Sequence, residues 1–309
     1  MKDVIQPVSR ELLEAELTEE RRLRHTNKGD NDIYIVDAFC APHTMREIGR
    51  LREIAFRDAG GGTGKDCDID EFDTMEPPCR QLIVWNPQER EIIGGYRFIL
   101  GKDIRFTEPG KPRIASSHMF DFSPVFLERY LPRTIELGRS FVTLEYQSSK
   151  AGPRALYALD NLWDGLGALT VVHPDIKYLF GKVTMYPSYN RECRDMLLYF
   201  LHKHFPDPEQ LVRPIEPLAM ESDGASLAEL FCGSSFKEDY KILNHAIREH
   251  GLNIPPLVNA YMSLSPTMKM FGTAINHEFG EVEESGIFFA ISEIFESKKN
   301  RHIGTYNGK

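Results

Sequence analysis

The chain has 309 residues, of which 41% are hydrophobic and 27% are charged. That length suits one elaborated domain or two small ones, and the composition excludes collagen-like, disordered and disulfide-framework chains. The formal net charge of −9 excludes binding to nucleic acid through overall charge. The five cysteines form no Cys-x-x-Cys pair, which predicts free thiols in a cytoplasmic protein.

Two segments bear on a membrane location. Residues 1–7 lack the apolar core of a signal peptide. The uncharged run 251–268 is interrupted by prolines and asparagines, so it does not predict a spanning helix. We therefore expect a cytoplasmic protein, and the composition leaves open peripheral contact with the inner face of the cytoplasmic membrane.

Helices and strands alternate along the first two thirds of the sequence. A charged helix is predicted over 9–24, then a strand over 33–36 and an amphipathic helix over 44–58. Two apolar runs, 81–85 and 91–100, are joined by Asn86-Pro87-Gln88 and predict a hairpin. The pattern continues with a strand over 136–146, a helix over 154–172, a strand over 178–185 and a helix over 189–204.

The last third has a weaker pattern, with a helix over 236–250, a proline-marked loop and a strand over 286–291. The order of elements predicts an α/β or α+β sheet. We divide the chain into an N-terminal helical segment (1–30), a core (31–205) and a C-terminal extension (206–309) that packs on or completes the same domain.

Two loops lack the residues that their apparent chemistry needs. The glycine-rich segment 60–65 looks like a phosphate loop, but Asp66 stands where Ser or Thr should bind magnesium, and a helix precedes it. The acidic run 66–73 resembles the opening of a calcium loop without its turn glycine or its terminal glutamate. We interpret both as ordinary loops and predict no metal site.

The segment Glu136-Leu-Gly-Arg-Ser-Phe-Val142 carries the sharpest chemical pattern. In a regular strand Glu136 and Arg139 would point to opposite faces. A bulge at Gly138 would bring both to one side and leave a backbone N–H free, which could serve as an oxyanion donor in acyl transfer. The alternative is an exposed Glu–Arg pair at the end of a strand.

Four segments in order carry a family resemblance: 51–56 with Arg52 and Phe56, 70–73 with Asp70 and Asp73, 94–98 with Arg97, and 136–139 with Glu136 and Arg139. They resemble the acyl-homoserine-lactone (AHL) synthases and, more closely, the ornithine-lipid and glycine-lipid type of N-acyltransferase, in its Bacteroidetes branch. Members are often labelled haemolysins. The resemblance implies the α/β fold of the Gcn5-related N-acetyltransferase (GNAT) superfamily, with a mixed, mostly antiparallel central sheet, a bulged strand and flanking helices.

The resemblance also implies an amide-forming acyltransferase. A fatty or 3-hydroxy fatty acyl chain would move from acyl-phosphopantetheine on acyl carrier protein, or from acyl-coenzyme A, to the α-amine of glycine or ornithine, giving a lyso aminolipid. No bound cofactor is implied, and the partners are acyl carrier protein and the amino acid. The usual pyrophosphate loop is degraded at 147–152, which favours a donor without adenosine diphosphate.

The same resemblance implies roles for residues. Only a neutral amine attacks a thioester, so a general base is needed, and Glu136 is the candidate, directly or through one water. We expect Arg139 to orient that carboxylate. Arg97 could hold the acceptor carboxylate or a donor phosphate, and Asp70 and Asp73 could bind the amine or close a loop over the site. The other expected substrate contacts are Arg52 and Phe56, with backbone N–H groups near Phe141, Val142 and Thr143 as oxyanion donors, while Trp85 is a predicted core residue.

Two alternatives remain: an acetyl-coenzyme A-dependent acetyltransferase of the same fold, and a membrane-active protein. Charge distribution favours an acidic partner despite the net −9. Residues 90–154 hold 11 Lys and Arg against 7 Asp and Glu, a local +4 that leaves −13 on the rest. We expect this basic cluster to steer an acidic carrier protein to the site; its members are Arg97, Lys102, Arg105, Lys111, Arg113, Arg129 and Arg133.

Overall fold

A computed structural model describes residues 1–147, 153–306 and 308. Its strands are β1 (Arg22–His25), β2 (Asp32–Val36), β3 (Arg80–Asn86), β4 (Glu91–Leu100), β5 (Phe106–Glu108), β6 (Lys111–Pro112), β7 (Phe120–Phe122), β8 (Thr134–Val142), β9 (Tyr178–Met185), β10 (Val212–Pro214), β11 (Lys269–Asn276) and β12 (Val282–Ala290). Its helices are α1 (Arg10–Glu16), α2 (Pro42–Ala59), α3 (Glu71–Thr74), α4 (Leu144–Gln147), α5 (Pro153–Val172), α6 (Arg191–His204), α7 (Gly224–Leu230), α8 (Phe236–Glu249), α9 (Pro256–Met262) and α10 (Glu296–His302).

Eight of these strands form one sheet in the order β1-β2-β3-β4-β8-β9-β12-β11. Neighbours are antiparallel except β8 and β9, which are parallel and connected through the crossover helix α5. Pairing of β8 with β9 runs from Thr134 opposite Tyr178 to Leu137 opposite Gly181 and then stops. The two strands diverge beyond that point. The sheet is mixed, mostly antiparallel and flanked by helices, as the sequence predicts.

A bulge interrupts β8 at the point of divergence. Gly95 of β4 lies opposite Phe141, whereas Arg97 lies opposite Gly138, so β8 carries one extra residue in this interval. Arg139 adopts φ 48°, in the left-handed region that few non-glycine residues occupy. The predicted bulge is therefore confirmed, with the positive φ falling on Arg139 rather than on Gly138.

Helices cover both faces of the sheet. On one face α5, α6, α8 and α9 bury a large core that includes Leu162, Phe200 and Leu243. On the other face α1 and α2 pack against β2 and β3, and Trp85 is buried there with an exposed fraction of 4%, which confirms it as a core residue. The segment 101–133, around Phe126, covers the rest of that face.

Most predicted elements are found within a few residues of their expected bounds, namely α2, α5, α6, α8, the hairpin β3–β4 and the strand β9. The N-terminal helix is shorter than predicted, because its last residues form the edge strand β1 against β2. The strand predicted over 136–146 ends at Val142, and the proline-marked loop contains α9, which begins at Pro256 in a position where helices tolerate proline. Within the described residues no helix is long and apolar enough to cross a bilayer.

Candidate active site

A cavity of about 830 Å³ opens where β8 and β9 diverge, within the range usual for ligand pockets. It is lined from both faces of the sheet. On the α2 side its wall includes four charged residues, Arg97, Arg139, Lys182 and Glu284. We call this the polar end. On the α5 side the wall is apolar and contains Leu159, Trp163, Leu179, Leu257, Ile287 and Phe289. We call this the apolar arm.

A buried ionic network stands behind the polar end. Asp70 caps α3 and forms a reciprocal capping box with Asp73. Arg97 Nη1 lies 2.6 Å from Asp70 Oδ1 and 3.3 Å from Asp73 Oδ2. Arg52 Nη1 lies 3.3 Å from Asp73 Oδ1, and both side chains are fully buried. The network brings together four of the residues that the sequence places in the site.

Gln81 completes this network. Its Nε2 donates to Asp73 Oδ1 at 2.9 Å, and its Oε1 accepts from Arg52. Burial alone would raise the pKa of the Asp70 carboxyl, but Arg97, followed by Arg139 and Arg52, holds it well below its ordinary value. Asp70 is therefore an anion near neutral pH that holds Arg97, rather than a proton acceptor.

Arg139 forms no hydrogen bond or ion pair with Glu136, although the sequence suggests that pair. Its Nε lies 2.9 Å from Asp68 Oδ2 and its Nη2 lies 3.4 Å from Asp70 Oδ2. Its guanidinium also lies 4.2 Å from the centre of the Phe279 ring. The left-handed conformation at the bulge directs the side chain toward the acidic segment before α3.

Glu136 is buried, with an exposed fraction of 3%. Its Oε1 accepts a hydrogen bond from Ser116 Oγ at 3.3 Å. Burial raises the pKa of this carboxyl, and Lys182 and Arg97 partly oppose that effect. Among the described residues that line the cavity Glu136 is absent, so it stands behind the wall formed by its neighbours.

The expected oxyanion donors differ in whether their N–H group is available to a substrate. Phe141 and Val142 line the cavity. The Thr143 N–H donates to Ile93 O at 2.9 Å, so it is engaged with β4 and cannot serve as a donor. Alternate N–H groups of an antiparallel strand point to opposite edges, so the Val142 N–H points away from β4 toward the gap beside β9.

Phe56 belongs to the cavity wall, and the glycine-rich loop binds a carboxylate of the chain itself. Phe56 lines the cavity and makes an edge contact with Phe279, with ring centroids 5.0 Å apart. In the glycine-rich loop, Glu53 accepts hydrogen bonds from the N–H groups of Thr63 and Gly64, at 3.1 and 2.7 Å. A carboxylate of the chain thus occupies the donors that a phosphate would need. Within the described residues no group of three or more His, Cys, Asp or Glu side chains is placed to hold a metal ion.

Five residues of this site were not predicted from the sequence, namely Asp68, Gln81, Ser116, Lys182 and Glu284. Asp68 belongs to the acidic run that looked like a calcium loop. Lys182 lies in the predicted strand 178–185, where its alternation with Gly181 and Val183 could have placed it on the same face as the site. Glu284 is brought to β9 only by long-range strand pairing, which leaves no local signal.

Five of the seven residues of the predicted basic cluster are exposed. Arg97 is buried and does not belong to the surface. Arg113 is half-buried and pairs with Glu71. The remaining members are exposed on the segment 101–133, and they are Lys102, Arg105, Lys111, Arg129 and Arg133. Residues 148–152 of the pyrophosphate loop lie outside the described residues.

The divergent parallel strands, the bulge and the through-sheet cavity define a GNAT acyltransferase, and residues 51–156 match the family described as acetyltransferase (GNAT) domain. The chain is therefore an enzyme of the acyltransferase class. It is 68% identical to the glycine N(alpha)-acyltransferase of Bacteroides thetaiotaomicron over 99% of this chain and 91% of that protein. It is 63% identical to the glycine N(alpha)-acyltransferase of Phocaeicola vulgatus over 99% of this chain and 94% of that protein.

The chain belongs to the glycine N(alpha)-acyltransferase family. The crystal structure of the AHL synthase LasI is similar with a TM-score of 0.36 and 11% identity, covering 90% of this chain and 96% of that one. Membership of an N-acyltransferase family confirms the coarser part of the resemblance seen in the sequence.

Proposed function

We propose that the protein transfers a long-chain fatty or 3-hydroxy fatty acyl group from acyl carrier protein to the α-amine of glycine, giving an N-acylglycine that is a lyso aminolipid. The observation that carries the proposal is the cavity, which joins a charged end to an apolar arm across the sheet. Such a cavity suits a zwitterionic acceptor and an alkyl donor. The two glycine N(alpha)-acyltransferase relatives support glycine rather than ornithine as the acceptor.

The apolar arm supports a long acyl chain. Trp163 of α5, Leu257 of α9 and Phe289 of β12 form parts of its wall. Each buried methylene of an alkyl chain contributes about 0.8 kcal/mol, so a long chain gains far more from this arm than an acetyl group does. The arm therefore favours a fatty acyl donor over acetyl-coenzyme A.

The reaction replaces a thioester by an amide. One proton leaves the glycine ammonium, and the neutral nitrogen attacks the thioester carbonyl carbon, so that a C–N bond forms and the carbonyl oxygen becomes an oxyanion. The C–S bond of this tetrahedral intermediate then breaks as the carbonyl forms again. The nitrogen then loses a second proton, and the released thiolate takes up one. In our proposal Glu136 removes the amine proton through one water, because its carboxylate stands behind the cavity wall. The Val142 N–H stabilises the oxyanion of the tetrahedral intermediate.

The test uses the purified full-length protein with acyl carrier protein carrying a 16-carbon or 3-hydroxy 16-carbon chain, and a panel containing glycine, alanine, serine and ornithine. We expect a product with the mass of N-acylglycine and at least about tenfold less product from the other amino acids. The same chain on coenzyme A, and acetyl-coenzyme A, serve as donor controls. Consumption of acetyl-coenzyme A without use of either long-chain donor would contradict the proposal.

A further inference from the structure

The polar end contains an ion pair whose two residues were not predicted as site residues. Lys182 Nζ lies 3.2 Å from Glu284 Oε2, and their side chains are only 11% and 5% exposed. The two residues lie on the adjacent strands β9 and β12, where Thr184 is opposite Glu284 and Gly286 is opposite Lys182. Both residues line the cavity.

Glu284 is held in a fixed orientation with one oxygen available. Its Oε1 accepts a hydrogen bond from Asn276 Nδ2 at 3.3 Å. Its Oε2 is buried and, within the described part of the chain, accepts no hydrogen bond, so the ion pair with Lys182 is its polar contact. A buried carboxylate oxygen without hydrogen bonds is costly unless a ligand completes its shell.

The two arginines that line the polar end each pair with two aspartates. Arg97 contacts Asp70 and Asp73, and Arg139 contacts Asp68 and Asp70. Lys182, in contrast, has one carboxylate partner within ion-pair distance in the described structure. It is therefore the cation on this wall that a substrate carboxylate can approach without competing against two aspartates.

The balance of charge also favours an ammonium group. Around the polar end four cationic side chains face five carboxylates, which leaves one surplus negative charge when all are ionised. The cations are Arg52, Arg97, Arg139 and Lys182, and the carboxylates are Asp68, Asp70, Asp73, Glu136 and Glu284. The surplus therefore favours the ammonium group of a substrate, rather than its carboxylate, beside the carboxylates of this end.

We propose that Lys182 and Glu284 bind the acceptor amino acid, Lys182 through its carboxylate and Glu284 through its ammonium group. The substrate zwitterion inserts between the two side chains and replaces their mutual ion pair with two new ones. This inference rests on the proposed amino-acid acylation, and it assigns to the pair a binding role that is separate from the proton transfer assigned to Glu136.

The test compares glycine with glycinamide, which has the same amine and a neutral carboxamide. We expect the wild-type enzyme to prefer glycine, and Lys182→Met to lose about tenfold or more of that preference in kcat/KM. Glu284→Gln should raise KM for glycine by about tenfold with a smaller change in kcat, because it weakens binding of the ammonium group.

Two controls match these variants. Glu283→Gln changes the preceding residue on the same strand, which pairs with Arg194 on the opposite face of the sheet. Lys203→Met removes a lysine that pairs with the buried Asp239 outside the cavity. Both controls should keep the wild-type preference for glycine over glycinamide.

The double variant Lys182→Met/Glu284→Gln removes both charges of the ion pair and leaves neither partner unpaired, so it remains informative if the single lysine variant fails to fold. It should acylate glycine and glycinamide with similar kcat/KM. Retention of the wild-type preference, within threefold, by a folded Lys182→Met or double variant would overturn the inference. A wild-type enzyme that acylates no amino acid would instead contradict the proposed function.

Discussion

At the scale of single residues, Glu136 combines burial with a hydrogen bond from Ser116 and a pKa raised by desolvation. A carboxyl group with a raised pKa is a stronger base once ionised, which suits it for taking a proton from an amine. The same group carries a structural cost, because a buried carboxylate without an ion-pair partner is poorly solvated. Function and stability therefore make opposite demands on this residue.

Glu136→Gln separates those two demands. We expect it to lower kcat for glycine acylation by about 10²–10⁴-fold, the usual effect of removing a general base. Wild-type activity should also fall as the pH drops through the raised pKa, because the protonated carboxyl cannot accept the amine proton. Steady-state rates across pH measure both effects, and a variant within threefold of wild type would exclude Glu136 as the base.

The same substitution should lower activity without lowering the stability of the folded protein. Because the folded state raises the pKa of Glu136 above 4.5, the folded state binds this proton more tightly than the unfolded state does. Its contribution to stability is therefore lost as the pH rises from 4.5 through the raised pKa. Gln carries no charge, so urea unfolding should show that Glu136→Gln is at least as stable as wild type above that range.

At the scale of elements, the buried charges join parts of the chain that are distant in sequence. Arg52 of α2 contacts Asp73 of α3, Gln81 of β3 contacts both, and Arg97 of β4 contacts the same aspartate. A buried ion network adds little stability compared with apolar packing, but removal of one partner leaves a charge uncompensated. The network therefore fixes the relative positions of the elements behind the polar end.

Arg52→Met should destabilise the fold by about 3 kcal/mol, because Asp73 would lose one of its cations inside the protein. The matched control is Arg90→Met, whose guanidinium pairs with Glu11 and Glu14 at the surface and should matter little. Urea unfolding followed by circular dichroism measures both variants. Equal free energies of unfolding for the two variants would show that the buried network does not stabilise the fold.

The sequence predicts elements better than contacts, for a physical reason. Amphipathic spacing in α2 and α5 and the apolar runs of β3 and β4 are local, so their bounds can be predicted within a few residues. The pairing of β12 with β9 is not local, and Glu284 was missed accordingly. The edge strand β1 pairs locally with β2, but its charged sequence Arg22-Leu-Arg-His25 resembles a continuation of the N-terminal helix. Arg139 shows the same limit, since its partner depends on the left-handed bulge.

At the scale of the whole molecule, charge is unevenly distributed. The exposed members of the basic cluster lie on the segment 101–133, while the chain as a whole carries −9. Because Arg97 is buried, it contributes no charge to this surface, and the exposed cluster has one positive charge fewer for that reason than the sequence predicts. The basic residues of segment 101–133 would attract an acidic carrier protein, whereas the net negative charge of the chain would repel it. Salt screens both interactions.

Salt should therefore lower kcat/KM with acyl carrier protein as donor more than with a small acyl thioester. Arg129→Glu/Arg133→Glu should reduce kcat/KM for the carrier-bound donor by about tenfold and leave the small thioester unaffected. The matched control is Lys241→Glu/Arg248→Glu on the exposed surface of α8. Equal effects of the two charge reversals would show that segment 101–133 does not receive the carrier.

The gap between β8 and β9 also affects release of the product. In the proposed reaction the product lies threaded through the sheet, with its charged head at one face and its alkyl tail at the other. One end must be drawn through the gap before the enzyme can turn over again. Glycine adds no side chain to that head, so the ease of unthreading, as well as the initial fit, favours the smallest amino acid.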